Sequence, residues 1–271
     1  MKSTFAHDIV SRIDGGYADE TEGEARSYIG ASVVGNDCNA YLQFSLRGFD
    51  NDPPDPRLKR IFRDGHRIED AVVKDLRKAK LNVIENDPMT GKQHRREWLG
   101  GHVVCNADGL ISDPAEGDAV LEIKSMNDAS WKKFQKSGVK ISHRHYYRQM
   151  QMLMAMFRIE TSFFIAYNKN NSEYWAEVVA FDQSEWDWLY TRMQYVIDGG
   201  GNRIAEEPTD WRCKGCFKRS VCWETPEVTP NCRLCKHSTP KSSGEWHCAL
   251  RDSPCKDPCD QFDVYRPTKK E

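Results

Sequence analysis

A chain of 271 residues, 39% hydrophobic and 30% charged, has the make-up of an ordinary globular protein and excludes a disordered or fibrous one. No apolar run approaches the roughly 18 residues that a membrane helix needs, and the opening MKSTFAHDIVSRID has no apolar core followed by a cleavage site, so a cytoplasmic protein with no membrane partner is expected. The formal net charge of −2 supplies no general field for a polyanion, so any nucleic-acid contact has to come from local clusters of basic residues.

In chain order, residues 1–26 are polar and end acidic (DGGYADETEGEAR), which reads as an arm or a short helix. Ser32 in IGAS is placed to cap a helix running toward Phe44. NDPPDP at 51–56 is a break, and residues 60–80 follow as an amphipathic helix, with Ile61, Phe62, Ile68, Val72 and Leu76 near helical spacing. Residues 81–87 read as a strand. Residues 98–111 and 119–126 read as two more, joined through the turn-rich SDPAEGD as a hairpin. Helices are expected over 130–138 and 145–159, a strand pair over 161–170 and 172–181, and a helix over 184–200 closed by glycines. There is no internal repeat. From about residue 206 the composition turns to Cys, Pro, Lys and Trp with little periodic hydrophobicity, and such a tail needs metal staples to hold a shape.

The chemistry concentrates around Glu122-Ile123-Lys124. Alternation along a strand puts Glu122 and Lys124 on one face and Ile123 on the other. A hairpin brings Asp108, in Asp-Gly at the end of the preceding strand, beside Glu122. Two carboxylates with carbonyl and water oxygens make a hard site suited to Mg²⁺ or Mn²⁺. The lysine supplies positive charge near a scissile phosphate or helps deprotonate the attacking water, the latter if partial burial lowers its pKa. An isolated Glu-x-Lys is more often a cross-strand ion pair on an outer face. What raises it above that is the order GHRIE, Asp-Gly, Glu-x-Lys, Gln-x-Gln along the chain.

Gly65-His66-Arg67-Ile68-Glu69, Asn106-Ala107-Asp108-Gly109, Glu122-Ile123-Lys124 and Tyr147-Arg148-Gln149-Met150-Gln151 together resemble the successive motifs of PD-(D/E)XK nucleases, nearest to the phage lambda exonuclease branch and the RecB-type branch, over about residues 27–180. The resemblance implies that Asp108 and Glu122 bind the metals, that Lys124 is catalytic, that Glu69 completes a second metal site, and that Gln149 and Gln151 organise the site or touch DNA. RecB-type members place a metal-binding histidine on the first helix, which keeps His66 as an alternative to Glu69. Being three apart on one helix, both could reach the site.

After the Glu-x-Lys strand the chain carries Lys132, Lys133, Lys136, Lys140, Arg144 and Arg148 among Trp131, Phe134, Tyr146 and Tyr147. Basic groups attract phosphates and aromatics stack bases, although long cations also commonly coat helix faces. The resemblance places this segment along a DNA channel, and gives Ser32 the place of a serine that receives a 5′ phosphate, beside its ordinary role as an N-cap.

Of the ten cysteines only Cys38 and Cys105 precede position 213, and clustered thiols in a reducing compartment read first as metal ligands. Cys105, in a strand, reads as core. Cys213-x2-Cys216-x5-Cys222 offers three thiolates where four are wanted, and the missing one can be Cys38 or a downstream cysteine with zinc. With Cys38 the layout resembles iron–sulfur RecB-type nucleases, including CRISPR-associated four-cysteine exonucleases, which implies a [4Fe-4S] cluster clamping the C-terminal segment to the N-terminal helix. Farther on, Cys232-x2-Cys235 with Cys248 and Cys259 describes a zinc ribbon. There Cys255 can replace Cys259, and His237 or His247 can join.

The expectation is therefore an α/β protein: a PD-(D/E)XK restriction-endonuclease-like core, with a mixed central sheet flanked by helices, and a cysteine-rich metal-binding C-terminal tail. Its parts are a polar arm (1–26), the nuclease core (27–205), a cysteine motif closing onto the N-terminal helix (206–226) and a zinc-ribbon-like tail (227–271). The expected activity is Mg²⁺- or Mn²⁺-dependent hydrolysis of DNA, as a 5′-end exonuclease in recombination or end processing. That polarity, and a phage or mobile-element role in the host cytoplasm, are implied by the resemblance. Partners would be DNA, with recombination proteins or self-assembly beside it. The rival readings are a structure-specific endonuclease, a non-catalytic DNA-binding or assembly module that retains the fold, and a redox or zinc sensor.

Overall fold

A computed structural model describes residues 2–20, 23, 25–113, 117–224 and 227–269. Its helices are α1 (Lys2–Ala18), α2 (Asn39–Arg47), α3 (Pro56–Lys78), α4 (Asp128–Ser142), α5 (Arg144–Phe157), α6 (Gln183–Ile197) and α7 (Arg219–Trp223). Its strands are β1 (Ile29–Gly30), β2 (Val83–Ile84), β3 (Arg95–Trp98), β4 (Val103–Asn106), β5 (Gly109–Asp113), β6 (Gly117–Met126), β7 (Thr161–Asn168), β8 (Tyr174–Ala180), β9 (Ser238–Pro240), β10 (Trp246–Cys248) and β11 (Ser253–Pro254). Among the described residues no helix is long and apolar enough to cross a membrane.

The chain folds as a mixed α/β protein around a five-stranded sheet of order β2-β5-β6-β7-β8, in which only β6 and β7 run parallel. A parallel pair needs a long crossover, and α4 and α5 supply it. Odd positions of β6, Leu121 and Ile123, pack with Val72, Val73 and Leu76 of α3. Even positions, Val120 and Met126, join Phe134 of α4 and Met150 and Leu153 of α5 on the other face. This period-2 division makes a sheet covered on both sides. It also sends Glu122, an even position with 0% exposure, into the layer under α5.

Several elements differ from the sequence reading for local reasons. The N-terminal arm is largely the helix α1. Helix α3 begins earlier than residue 60, because Asp55 accepts a hydrogen bond from the Leu58 amide (2.7 Å) and Pro56 fits a first turn. Ser32 does not cap a long helix. It lies within a 3-10 turn, Ala31–Val33, whose cap is Gly30, and α2 starts only at Asn39. The intervening Gly35 lies so close to His145 that a Cβ there would sit 2.7 Å from its backbone, and the chain turns at that point instead of continuing a helix.

The strand expected over 98–111 is two strands of different sheets. A 3-10 turn at Leu99–Gly101, with Gly100 at φ +64° and Gly101 at φ +90°, ends β3, and β4 returns into a small sheet of order β1-β4-β3. The expected strand over 81–87 shrinks to β2. The tip of the hairpin between β5 and β6, residues 114–116 of SDPAEGD, lies outside the described residues.

The tail forms a three-stranded ribbon of order β11-β10-β9. Two contacts bolt it to the rest of the chain. Gly100 packs against the backbone of Gly244, where a Cβ would sit 2.1 Å from the amide nitrogen. Arg47, at the end of α2 and only 3% exposed, donates to the carbonyls of Arg233 (2.8 Å), Cys235 (2.9 Å) and Ser238 (2.9 Å), and its guanidinium lies 4.0 Å from the Tyr265 ring centroid.

Candidate active site

The site is built where the hairpin ladder gives out. In the β5–β6 register Gly109 faces Leu121, and beyond this pair the chain leaves the large sheet for β4. Extending the register puts Asp108 opposite Glu122, but residue 108 belongs to neither strand. The Ile123 amide, left without a strand partner on that side, is taken by Asp108 Oδ2 at 2.9 Å. A split between two sheets thus fixes Asp108 against β6, as the hairpin argument anticipates.

Glu122 is flanked on β7 by its register partner Phe164, which is fully buried. Burial pushes its carboxyl well above the ordinary carboxylate range, with Asp108 and Glu69 adding to the rise against the lowering effect of Lys124. Gln149 Nε2 of α5 donates to Glu122 Oε2 (2.9 Å), and the Lys124 ammonium rests against Oε1. Burial alone would lower the Lys124 ammonium, but Glu122 and Asp108 more than offset it and hold it above its usual range. The carboxylates beside it hold Lys124 as a positive charge.

From α3, Gly65 faces Ser125 of β6, with 4.0 Å between its Cβ position and the hydroxyl, and one turn later Glu69 comes within electrostatic range of Asp108 and Lys124. Burial, followed by Asp108, raises the Glu69 carboxyl. His66 Nδ1 is 3.8 Å from Glu69 Oε2, yet its side chain is 84% exposed against 34% for Glu69. The structure thus gathers Glu69, Asp108, Glu122, Lys124 and Gln149, with His66 at the edge.

Gln151 does not join them. Two residues along a helix do not share a face, and its amide is spent on backbone: Nε2 donates to Ala180 (3.1 Å) and Oε1 accepts from Asp182 (2.7 Å). Two substitutions separate the roles. Gln149→Leu is expected to lower the activity of this site by about ten- to a hundred-fold, because Glu122 loses the donor that orients it. Gln151→Leu is expected to cost about 2 kcal/mol of stability, from buried groups left unpaired, while the folded fraction keeps its rate; thermal melts and turnover of both variants check this.

Tyr146, one of the aromatics among the basic residues, has its ring centroid 5.3 Å from the Lys124 ammonium. Its i,i+3 spacing from Gln149 was the available signal.

The basic segment is less free than its composition suggests. Arg148 is buried, bonded to Glu185 (2.8 Å) and Asp37 (2.7 Å), and lies 3.8 Å from the Trp188 ring centroid. Arg144 pairs with Glu185 (3.0 Å), while Lys140 (2.8 Å) and the Tyr147 hydroxyl (3.0 Å) both meet Asp182. Lys132 pairs within its helix with Asp128 (2.8 Å). Trp131, Phe134 and Tyr147 are core. Partners more than thirty residues away had no local signal, and they tie down Lys140, Arg144 and Arg148, three of the six cations. Lys133 and Lys136 remain exposed on α4, and Ser32 is exposed beside the cavity described next.

The cysteines fall into two groups. Cys38, Cys213, Cys216 and Cys222 line one cavity of about 380 Å³, where Arg203 Nε donates to Cys222 Sγ (3.4 Å). Cys232, Cys235, Cys248, Cys255 and Cys259 line another of about 350 Å³, together with His237. His247 instead faces Asp252 at 3.3 Å. Cys105 is buried in core, as expected. Among the described residues no three His, Cys, Asp or Glu side chains are spaced to enclose a metal ion as they stand.

Residues 63–161, which contain all four motifs, match the family model of the YqaJ-like viral recombinase domain, and the resemblance to phage-type nucleases is borne out over that segment. No curated protein gives a match. Among solved structures the chain is similar to LHK-Exo in complex with dAMP (17% identity, 63% of this chain and 86% of that chain, TM-score 0.46). It is similar, too, to an alkaline exonuclease, LHK-Exo, from Laribacter hongkongensis (17%, 64% and 87%, TM-score 0.43). A third is a phage related exonuclease from Haemophilus somnus (12%, 62% and 91%, TM-score 0.42). At these identities and TM-scores the likenesses carry no argument about activity.

Proposed function

We propose that this chain is a divalent-metal-dependent deoxyribonuclease that degrades DNA from 5′ ends, in recombination or end processing of a phage or mobile element. The observation that carries the reading is the meeting of Glu69, Asp108, Glu122 and Lys124 at the split between two sheets, inside the segment that matches a viral recombinase domain. In this reading residues 27–205 are a PD-(D/E)XK nuclease core and residues 206–271 its metal-held appendage.

The donor chemistry suits a hard cation, which would draw Glu69, Asp108 and Glu122 closer together than they stand. Burial raises the carboxyls of Glu122, which is fully buried, and of Glu69, and the neighbouring Asp108 adds to the rise of both. A divalent ion relieves both costs. Asp108 and Glu122 would hold it, with Glu69 completing a second position. Bound there, Mg²⁺ or Mn²⁺ supplies Lewis acidity to a phosphate oxygen and makes water a competent nucleophile at neutral pH. The protein does the rest. Gln149 orients Glu122, Asp108 is aimed by the Ile123 amide, and the Lys124 ammonium stands where charge grows on the phosphate in the transition state.

Proton and metal compete for Glu122. Because its pKa is raised, the protonated form is favoured as pH falls, and metal affinity falls with it. With limiting Mg²⁺ the cleavage rate is expected to climb on the alkaline side of neutrality, and saturating metal flattens the profile; rates across pH at two Mg²⁺ concentrations check this.

The same proposal assigns a [4Fe-4S] cluster to Cys38, Cys213, Cys216 and Cys222, supported by their shared cavity, and a zinc ion to the tail. Closing residue 38 onto 213–222 would restrain a long stretch of unfolded chain.

End-labelled linear duplex and covalently closed circular DNA, each with Mg²⁺ or Mn²⁺, test the activity. The expected result is loss of label from 5′ ends of the linear form and an intact circle. Nicking or linearisation of the circle points to an endonuclease, and an intact linear substrate with either metal overturns the nuclease reading.

A further inference from the structure

The tail cavity is lined by five thiols, one more than a tetrahedral zinc ion takes. The sequence leaves open whether Cys255 or Cys259 is the fourth ligand, since both follow Cys248 at a spacing that a ribbon tolerates. The fold distinguishes them. We infer that the zinc ligands are Cys232, Cys235, Cys248 and Cys255, with Cys259 outside the coordination set; this rests on the reading of the tail as a zinc site given above.

Cys232 and Cys235 form a tight knuckle, in which the Cys235 amide donates to the Cys232 carbonyl (3.1 Å) and the Ser238 amide to the Cys235 carbonyl (3.2 Å). The knuckle therefore runs directly into β9. On β9, Ser238 faces Cys248 of β10, and Cys248 in turn faces Ser253 of β11. The Cys255 amide continues the same ladder by donating to the Trp246 carbonyl at 2.7 Å.

Residues 246 and 248 lie on one face of their strand, so Cys255, opposite 246, shares that face with Cys248. Cys248 and Cys255 are diagonal neighbours on a hydrogen-bonded ribbon, and the knuckle closes over the same cavity. The thiols of Cys232 and Cys255 already lie within hydrogen-bonding reach of each other. Cys259 also lines the cavity and lies within electrostatic range of Cys232, but among the described residues no ladder hydrogen bond ties it to β10 and no thiol hydrogen bond ties it to Cys232. It follows Lys256-Asp257-Pro258, outside the ribbon, and its carbonyl accepts from Phe262 in a separate turn (3.0 Å).

The ligand set also has a support outside itself. Arg47 donates to the Cys235 carbonyl and to both the hydroxyl (3.2 Å) and the carbonyl of Ser238. The guanidinium positions the knuckle from behind, as outer hydrogen bonds orient metal ligands generally. A bound zinc ion would take the four ligands as thiolates, their protons passing to solvent.

The test measures zinc and iron separately in the purified full chain, so that the cluster in the other cavity does not enter the count. Wild type and Cys259→Ser are expected to carry one zinc per chain. Cys255→Ser is expected to carry none, and Cys255→His to recover it. In the cobalt-substituted protein, the thiolate charge-transfer band of Cys259→Ser is expected to match wild type. Wild type without zinc overturns the zinc reading itself. Zinc in wild type together with its loss from Cys259→Ser, or its retention by Cys255→Ser, overturns this ligand set alone. If Cys255→Ser does not fold, the cobalt-substituted Cys255→His protein decides: a thiolate charge-transfer band weakened from four thiolates to three supports Cys255 as a ligand, and a band unchanged from wild type counts against it.

Discussion

Lys124→Ala is expected to lose DNA cleavage by about a thousand-fold, or about 4 kcal/mol of transition-state stabilisation, while the chain stays folded and still binds DNA. The size follows from position. The ammonium lies in a partly covered site, 23% exposed, with Glu122 on one side and the Tyr146 ring on the other. A charge held there needs no reorganisation as negative charge develops on a phosphate.

The fold survives because Glu122 has a second resort. Without Lys124 the buried carboxyl takes up a proton, and Gln149 still donates to its other oxygen. Lys124→Arg is expected to recover little, because a planar fork does not replace a compact ammonium at a site closed by a ring. Single-turnover rates, with circular dichroism for folding and fluorescence anisotropy for DNA binding, separate loss of chemistry from loss of structure. A rate near wild type for Lys124→Ala removes the lysine from the mechanism.

Arg47→Ala is expected to destabilise the protein by about 3 kcal/mol and to release the tail before the core. Its guanidinium is held by three backbone carbonyls, the Ser238 hydroxyl and Gln43 Oε1, and it lies 4.0 Å from the Tyr265 centroid and 5.2 Å from that of Trp246. Burial lowers it to about 10, so it stays charged at neutral pH. Truncation leaves three carbonyls facing a cavity. Arg47→Lys is not a conservative change here, because one ammonium on a flexible stem cannot span Arg233, Cys235 and Ser238 together. Limited proteolysis is expected to cut both variants between residues 227 and 269 while the remainder resists, and a lowered melting temperature accompanies it. A protease pattern unchanged from wild type would leave Arg47 as a passive buried charge.

The carboxylate and lysine group was readable because its signals are local. Alternation put Glu122 and Lys124 on one face, hairpin pairing brought Asp108 beside Glu122, and a helical offset carried Glu69 to the same end of the sheet. Period-2 and period-3.6 patterns survive folding when one face is buried. What was not readable depended on distant partners. No local pattern announces that Lys140, Arg144 and Arg148 pair with Asp37, Asp182 and Glu185, far away in the chain. The two glutamines of Gln-x-Gln look equivalent in a motif, yet a 200° turn of the helix sends Gln149 to Glu122 and Gln151 to the backbone at 180–182. Ser32 looks like a helix cap until His145 is found to crowd Gly35. Among the cysteines the spacing gave the two groups, but only the ribbon register separates Cys255 from Cys259.

The most direct test of the metal-binding carboxylates is Asp108→Asn, which keeps the shape and can still accept from the Ile123 amide, removing only charge. Measured as Mg²⁺-dependent digestion of a 5′-labelled linear duplex at saturating DNA, its rate is predicted to fall at least about a hundred-fold below wild type, with added Mn²⁺ restoring part of it. Equal rates for the two proteins at every Mg²⁺ concentration would contradict the account, because the negative charge at position 108 would then play no part in cutting DNA.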